Sequence, residues 1–362
     1  MTWLWMAALL GGCAQSLAGA AGALLAVRVG GGAAVAGLPQ AALVAGAALA
    51  AFVLSALTRR FGRPRALAAG ALAAAGGCAV VVAAAHLGSL PLVLAGTLLS
   101  GAGNTAVMLT RYAAAEHGGT MTAVLTATAA GAVAGPLLLG VADPYVVAAA
   151  GFVLAALCYR PVRGRPVTPE AAGGIGARGR AGLAILSAAN LVMVGVMTFA
   201  PVHLAHTGAS RTAIGAVVSA HIAGMFAPSV LSTRLVAAAG AARTAGLGAS
   251  VLMLACITVA AGEPRAMVAG LVLLGAGWNC CLVAGSTLLV TGAHGTARVR
   301  GEAWGEVGMG AAAAAGGGLS GPLAAAAGYP GLAWAGAVVA LVFAAGVLAM
   351  RPGRVGVRPA GD

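Results

Sequence analysis

Carboxylates are the scarcest reactive groups in this 362-residue chain, which has seven. Asp143 and Glu263 each precede a proline in a short gap. Glu170 lies in a long polar gap, Glu116 just beyond an apolar run, and Asp362 at the last position. That leaves Glu302 and Glu306, four residues apart, which a helix sets on one face. Two close carboxylates raise each other's proton affinity, so the pair could carry a proton. Alternatively, acids at a helix start complement its dipole, and Arg298 or Arg300 could neutralise them. His221 lies in mid-run, one helical turn from Met225. It is either a second proton site, since histidine titrates near physiological pH, or a packing histidine bonded to a neighbouring helix. Arg111 and Glu116 form either a gate pair or a pair of interfacial anchors.

These groups are embedded in apolar sequence. Hydrophobic residues make up 61% of the chain, charged residues 7%, and mean hydropathy is +1.00. A soluble domain carries about 25% charged residues. A water-soluble fold of this composition could not cover its surface, whereas a lipid-facing surface needs no such cover. Twelve apolar runs approach the ~20 residues that cross a ~30 Å hydrocarbon core. They are 3–27, 34–57, 66–87, 90–112, 120–142, 144–160, 181–205, 212–236, 242–262, 265–290, 299–326 and 329–350, the sixth being short. None alternates polar and apolar residues as a barrel strand does. The expected fold is therefore all-α and membrane-integral, with twelve transmembrane helices. The longest polar gap, 161–180, has the arginine, proline and glycine content of a linker. It divides the chain into six-helix bundles at 1–160 and 181–350, with a tail at 351–362.

Every one of the 20 basic residues is arginine. With a cytoplasmic N-terminus, 17 fall on the inside and only Arg28, Arg211 and Arg265 on the outside. This bias predicts cytoplasmic termini and an even helix count. The arginines form no basic face interleaved with aromatics, which excludes nucleic-acid binding. Cys13, Cys78, Cys158, Cys256, Cys280 and Cys281 lie in or near the end of apolar runs, without CxxC spacing. They read as small apolar side chains, with no metal or cofactor expected. No positive stretch precedes Leu10–Cys13, so the first run reads as a retained helix rather than a signal peptide. No phosphate-binding loop and no soluble domain large enough for an enzyme is present.

The gap after the second run contains Gly62 followed by Arg63, and the gap after the eighth contains Gly240 and then Arg243. Glycine permits the tight turn that each gap needs. Two related six-helix halves with a midplane site are a known transporter design. The first gap resembles the signature loop of the major facilitator superfamily (Gly-x-x-x-Asp-Arg-x-Gly-Arg-Arg) through Arg60, Gly62, Arg63 and Arg65. Arg59 stands where that loop has Asp, and Ala237 stands there in the second half. Gly131, Gly135 and Pro136 are similar to the Gly-x-x-x-Gly-Pro motif of its exporters. Residues 111–115, 221–226, 277–279 and 318–322 resemble a bacterial efflux branch.

The resemblance implies two pseudo-symmetric six-helix bundles in a bacterial inner membrane, working as a monomer. It also implies a cavity lined by the first, fourth, seventh and tenth runs. The candidate substrate-binding residues there are Gln15, Asn104, Met108, Asn190, Met193, Met197, Trp278 and Asn279, beside Ser16 and Ser286. Few charges among methionine and tryptophan suit an apolar or weakly polar ligand, though each asparagine could equally be interhelical glue. The superfamily loop Asp faces the start of the eleventh run, so Arg59 with Glu302 or Glu306 is expected as an inverted gate pair. The expected function is proton-coupled export of a small organic compound. The alternatives are uptake by the same fold and a non-transporting sensor or scaffold.

Overall fold

The computed structural model describes residues 2–116, 121–162, 176–291 and 296–348. Among the described residues there is no strand. The first half contains α1 (Thr2–Gly30), α2 (Leu38–Phe61), α3 (Arg63–Leu87), α4 (Leu90–Glu116), α5 (Met121–Ala134) and α6 (Pro144–Tyr159). The second contains α7 (Ala177–His206), α8 (Arg211–Phe226), α9 (Ser229–Ala239), α10 (Ala241–Ala260), α11 (Pro264–Val290) and α12 (Thr296–Leu348). A bilayer offers no water to pair an open backbone group, so chains this apolar cross it as helices with every N–H used internally.

Ten helices among the described residues are long and apolar enough to span a membrane. The expectation of twelve differs at two places. Helix α6 has only 16 residues, short of the ~20 a perpendicular span needs. The span Trp304–Val347 runs for 44 residues, but Gly328 interrupts it at φ 69°, ψ 173°. The expected runs 299–326 and 329–350 meet at that interruption. Helices α8 and α9 form one span, broken at Ala227 and Pro228.

The same packing scheme occurs twice. In the first half α1 lies on α5, α3 on α4 and α6, and α2 on α4. In the second, α7 lies on α12, α10 on α11 and α12, and α8 on α11. The halves meet along α2–α12, α5–α8 and α1–α7.

The two glycine turns repeat closely. Gly62 joins α2 to α3 at φ 83°, ψ 155°, and Gly240 joins α9 to α10 at φ 86°, ψ 155°. Each amide donates back to a helix carbonyl at 3.0 Å, Gly62 to Thr58 and Gly240 to Val236. Each carbonyl then accepts the next helix's first bond, from Ala66 and Thr244. With ψ near 155° this is a region essentially reserved for glycine, where a Cβ costs about 1–3 kcal/mol. Gly62→Ala and Gly240→Ala are each expected to lower the stability of the purified protein by that cost, read as a lower thermal midpoint. Gly76→Ala, in a helix with open space around the new methyl, should leave it unchanged or raise it.

Candidate functional site

A cavity of about 330 Å³ lies where the halves meet, within the range of small-ligand sites. Its walls come from α1 (Ser16, Gly19, Ala23), α2 (Pro39, Gln40, Leu43), α7 (Met193, Met197, Thr198, Pro201) and α8 (Val218, His221, Ile222, Met225, Phe226), with Thr97, Ala132 and Tyr145. Among the described residues, no Asp, Glu, Lys or Arg lines it. Its polarity comes from hydroxyls, one amide and one imidazole.

The repeat explains the cavity's shape. Sliding the first half by the spacing between Gly62 and Gly240 puts Gly19 on Met197, Ala20 on Thr198, Gln40 on Val218 and Leu43 on His221. Both members of each pair line the cavity. α1 offers glycine where α7 offers methionine, and that difference leaves room for a ligand. Tyrosines hold the frame in each half: Tyr145 donates to Ala18 O and Tyr329 to Val196 O, both at 3.3 Å. Ala18 and Val196 are again one repeat apart.

His221 is 2% exposed. Its Nδ1–H donates to Leu271 O at 2.7 Å, which leaves Nε2 as the acceptor of the neutral ring. Met193 and Met197, expected at the site, line the cavity. Gln15 adjoins the lining residue Ser16, and its buried Oε1 has no partner among the described residues.

Asn104, Met108, Asn190, Trp278 and Asn279 lie outside this lining. Asn190 donates to Met309 O at 2.7 Å and accepts from Trp278 Nε1 at 3.0 Å, tying α7 to α11 and α12. Asn279 donates to Met225 O at 2.7 Å and to Ser229 Oγ at 3.0 Å, and accepts from Ser232 Oγ at 2.6 Å. Pro228 interrupts the helix there, and Asn279 takes up the carbonyl exposed at the break. The side chain thereby fixes Met225 and Phe226 against the cavity. Sequence reasoning missed Gln40, Thr97, Tyr145 and Thr198 as wall residues.

The end carrying Gly37 and Gly140 is tightly sealed. A Cβ on Gly37 would strike Gly317 O, one on Gly140 would strike Thr212 Oγ1, and one on Gly215 would strike Pro136 O. These contacts join the residue before α2 to α12 and the segment after α5 to α8. Gly131 and Gly135 lie as close to the α1 backbone, at Leu9 and Cys13. From Gly135 to Gly140, through Pro136, the chain tightens into a 3₁₀ helix.

At the opposite end an ion pair links the halves: Arg111 Nη2 to Glu306 Oε1, 3.3 Å. Glu306, expected opposite Arg59, is thus met by Arg111 instead. Arg59 is exposed and donates to Ser55 Oγ at 3.0 Å on its own helix. Glu306 lies ten residues into α12, about 15 Å from its start, and meets the end of α4 instead. The side chains of Glu116 and Glu302 lie outside those described. With exposures of 20% and 54%, solvent screens the Arg111–Glu306 pair, which is worth about 0–1 kcal/mol.

An uncharacterized MFS-type transporter of Bacillus subtilis strain 168, YddS, is 32% identical to the chain, covering 89% of it and 84% of that protein. A second from the same organism, YdeG, is 31% identical, with coverages of 92% and 87%. The chain belongs to the major facilitator superfamily. It is a membrane transporter and not an enzyme. No family model matches it. The transporter's fold is similar to that of the nucleoside transporter NupG, with a TM-score of 0.76 at 13% identity, covering 96% of this chain and 98% of that one.

Loss of the Asn279 clamp should be measurable in this transporter. Asn279→Leu is expected to cost about 1–3 kcal/mol, read as a lower thermal midpoint in detergent. Asn104→Leu, at a half-buried site without a side-chain hydrogen bond among the described residues, should cost less.

Proposed function

We propose that this transporter exports a small, uncharged, weakly polar organic compound by proton antiport. The observation that carries the reading is a cavity lined by methionine, proline and alanine with a few neutral polar groups. A charged substrate would need a compensating charge in the wall. Gly131, Gly135 and Pro136, similar to the exporters' motif, support the outward direction. His221 supports proton coupling: besides the phenol Tyr145, it is the titratable group among the described residues of the wall.

In this proposal one central cavity opens alternately to each side of a bacterial inner membrane. The two six-helix bundles, 1–160 and 181–350, rock about it as one monomer, with both termini cytoplasmic. Gly37, Gly140 and Gly215 close the outer side. Arg111 and Glu306 latch the inner side, a role suited to a pair weak enough to break in each cycle. Gln15, Met193 and Met197 contact the substrate, and Asn279 acts through Met225.

The test compares accumulation of candidate compounds in cells with and without the protein, before and after collapse of the proton gradient. Export predicts lower accumulation that reverts on collapse. Higher accumulation would establish uptake instead, and no change across a broad panel would favour a sensor.

Two variants sharpen this test. Gly19→Met copies the counterpart Met197 into open space, so the fold should survive while transport falls at least tenfold. His221→Leu copies the counterpart Leu43. Exchange down a substrate gradient should persist in it, while gradient-driven export and its pH dependence disappear. Unchanged proton-driven transport in His221→Leu would exclude this histidine as the coupling group.

A further inference from the structure

We propose that the exposed arginines of the α2–α3 turn bind the headgroup of an anionic phospholipid. Arg59, Arg60 and Arg65 are all exposed within a few residues of Gly62, and residues 55–67 contain no carboxylate. At the same end Glu306 is engaged by Arg111 at 3.3 Å. Arg59 bonds a neutral partner, Ser55 Oγ, on its own helix. The Arg60 guanidinium lies 5.1 Å over the ring of Phe61, itself 44% exposed. An aromatic with a cation above it is the arrangement expected at headgroup depth, with the ring in the interface and the charge among the phosphates.

The second half shows that the turn does not need this charge. One repeat along, Ala237 stands for Arg59, Ala238 for Arg60 and Ala241 for Arg63. Arg65 alone retains an arginine counterpart, Arg243. Yet Gly62 and Gly240 adopt the same backbone within 3° in φ (83° against 86°) and share the same amide bond pattern. The turn's backbone therefore does not need cations at positions 59, 60 and 63; the second half keeps only Arg234 and Arg243 around its glycine. The additional cations make a concentrated basic patch beside the bilayer, the chemistry that attracts acidic lipid headgroups. Arg59 takes part because it stands where the superfamily loop has its acid.

The test uses the full-length protein in nanodiscs of phosphatidylcholine alone or mixed with phosphatidylglycerol. Phosphatidylglycerol is expected to raise the thermal midpoint by about 2–4 °C and to remain bound in native mass spectra. In the Arg59→Ala/Arg60→Ala variant, which copies the second half, both effects should vanish while the midpoint in phosphatidylcholine stays unchanged. Arg59→Lys/Arg60→Lys should restore them. Arg28→Ala/Arg211→Ala, which removes equal charge at the other end, should keep them. The proposal is overturned if phosphatidylglycerol has no effect on the native protein, or if the double alanine variant responds like it. It is equally overturned if inorganic phosphate reproduces the shift in phosphatidylcholine nanodiscs, or if the alanine pair lowers the midpoint equally in both lipids.

Discussion

The bilayer's refusal of unpaired backbone is the constraint on which the rest of the molecule depends. Where the helical ladder is intact, side chains have little to do beyond packing. Where it is interrupted, something must take up the freed groups. At Pro228 that partner is Asn279, which reaches from α11 to the carbonyl of Met225. At Gly62 and Gly240 the glycine itself closes the circuit, donating backwards and accepting forwards. At Gly135 the chain tightens into a 3₁₀ turn that keeps its bonds local. The breaks at Pro228 and Gly135 flank the cavity, which is built from Met225, Phe226 and Ala132 on their near sides.

A repeated fold sets equivalent positions around its centre, so its chemistry resides in the differences between the halves. The frame is common: matched turns, matched tyrosine tethers and matched helix neighbours. The wall is not. Glycine faces methionine, glutamine faces valine, and leucine faces histidine across the repeat. Had both halves carried methionine at position 19 and its counterpart, the side chains would fill the space. Each substitution that breaks the repeat adds either volume or polarity on one side only.

The fold was legible because it follows from composition and breaks. Apolar runs near the spanning length, the polar gap after residue 160 and the paired glycine turns all depend on local sequence. The short α6 also appeared as the weakest run. The site was legible only in part. Met193 and Met197 line the cavity because helix periodicity sets both on one face, four residues apart. Asn190 and Asn279 carry the same sequence signal as a ligand-binding amide. Their partners, Met309 and Met225, are main-chain carbonyls on other helices, and no residue pattern encodes those. Arg59 illustrates the converse: its missing acid was visible, but Arg111 as the partner of Glu306 depends on how deep in the bundle each end lies.

The two ends of the molecule close by different physics, and the difference bears on a transport cycle. At the glycine-sealed end, backbones approach too closely for any side chain, and dispersion over the whole contact holds them. Such an interface has a steep dependence on distance: a slight rotation of one half loses many contacts together. At the opposite end the Arg111–Glu306 pair is half in solvent, and its attraction falls off gently and is screened. A cavity between a short-range seal and a long-range latch need not open both ways at once. As the halves rotate, the ion pair can stretch through water at little cost, whereas the glycine seal releases only after most of its contact is gone. For the proposed alternating access, this puts the larger barrier on the side of Gly37, Gly140 and Gly215. Substrate or proton binding in the wall between α1 and α8 would have to act on that barrier.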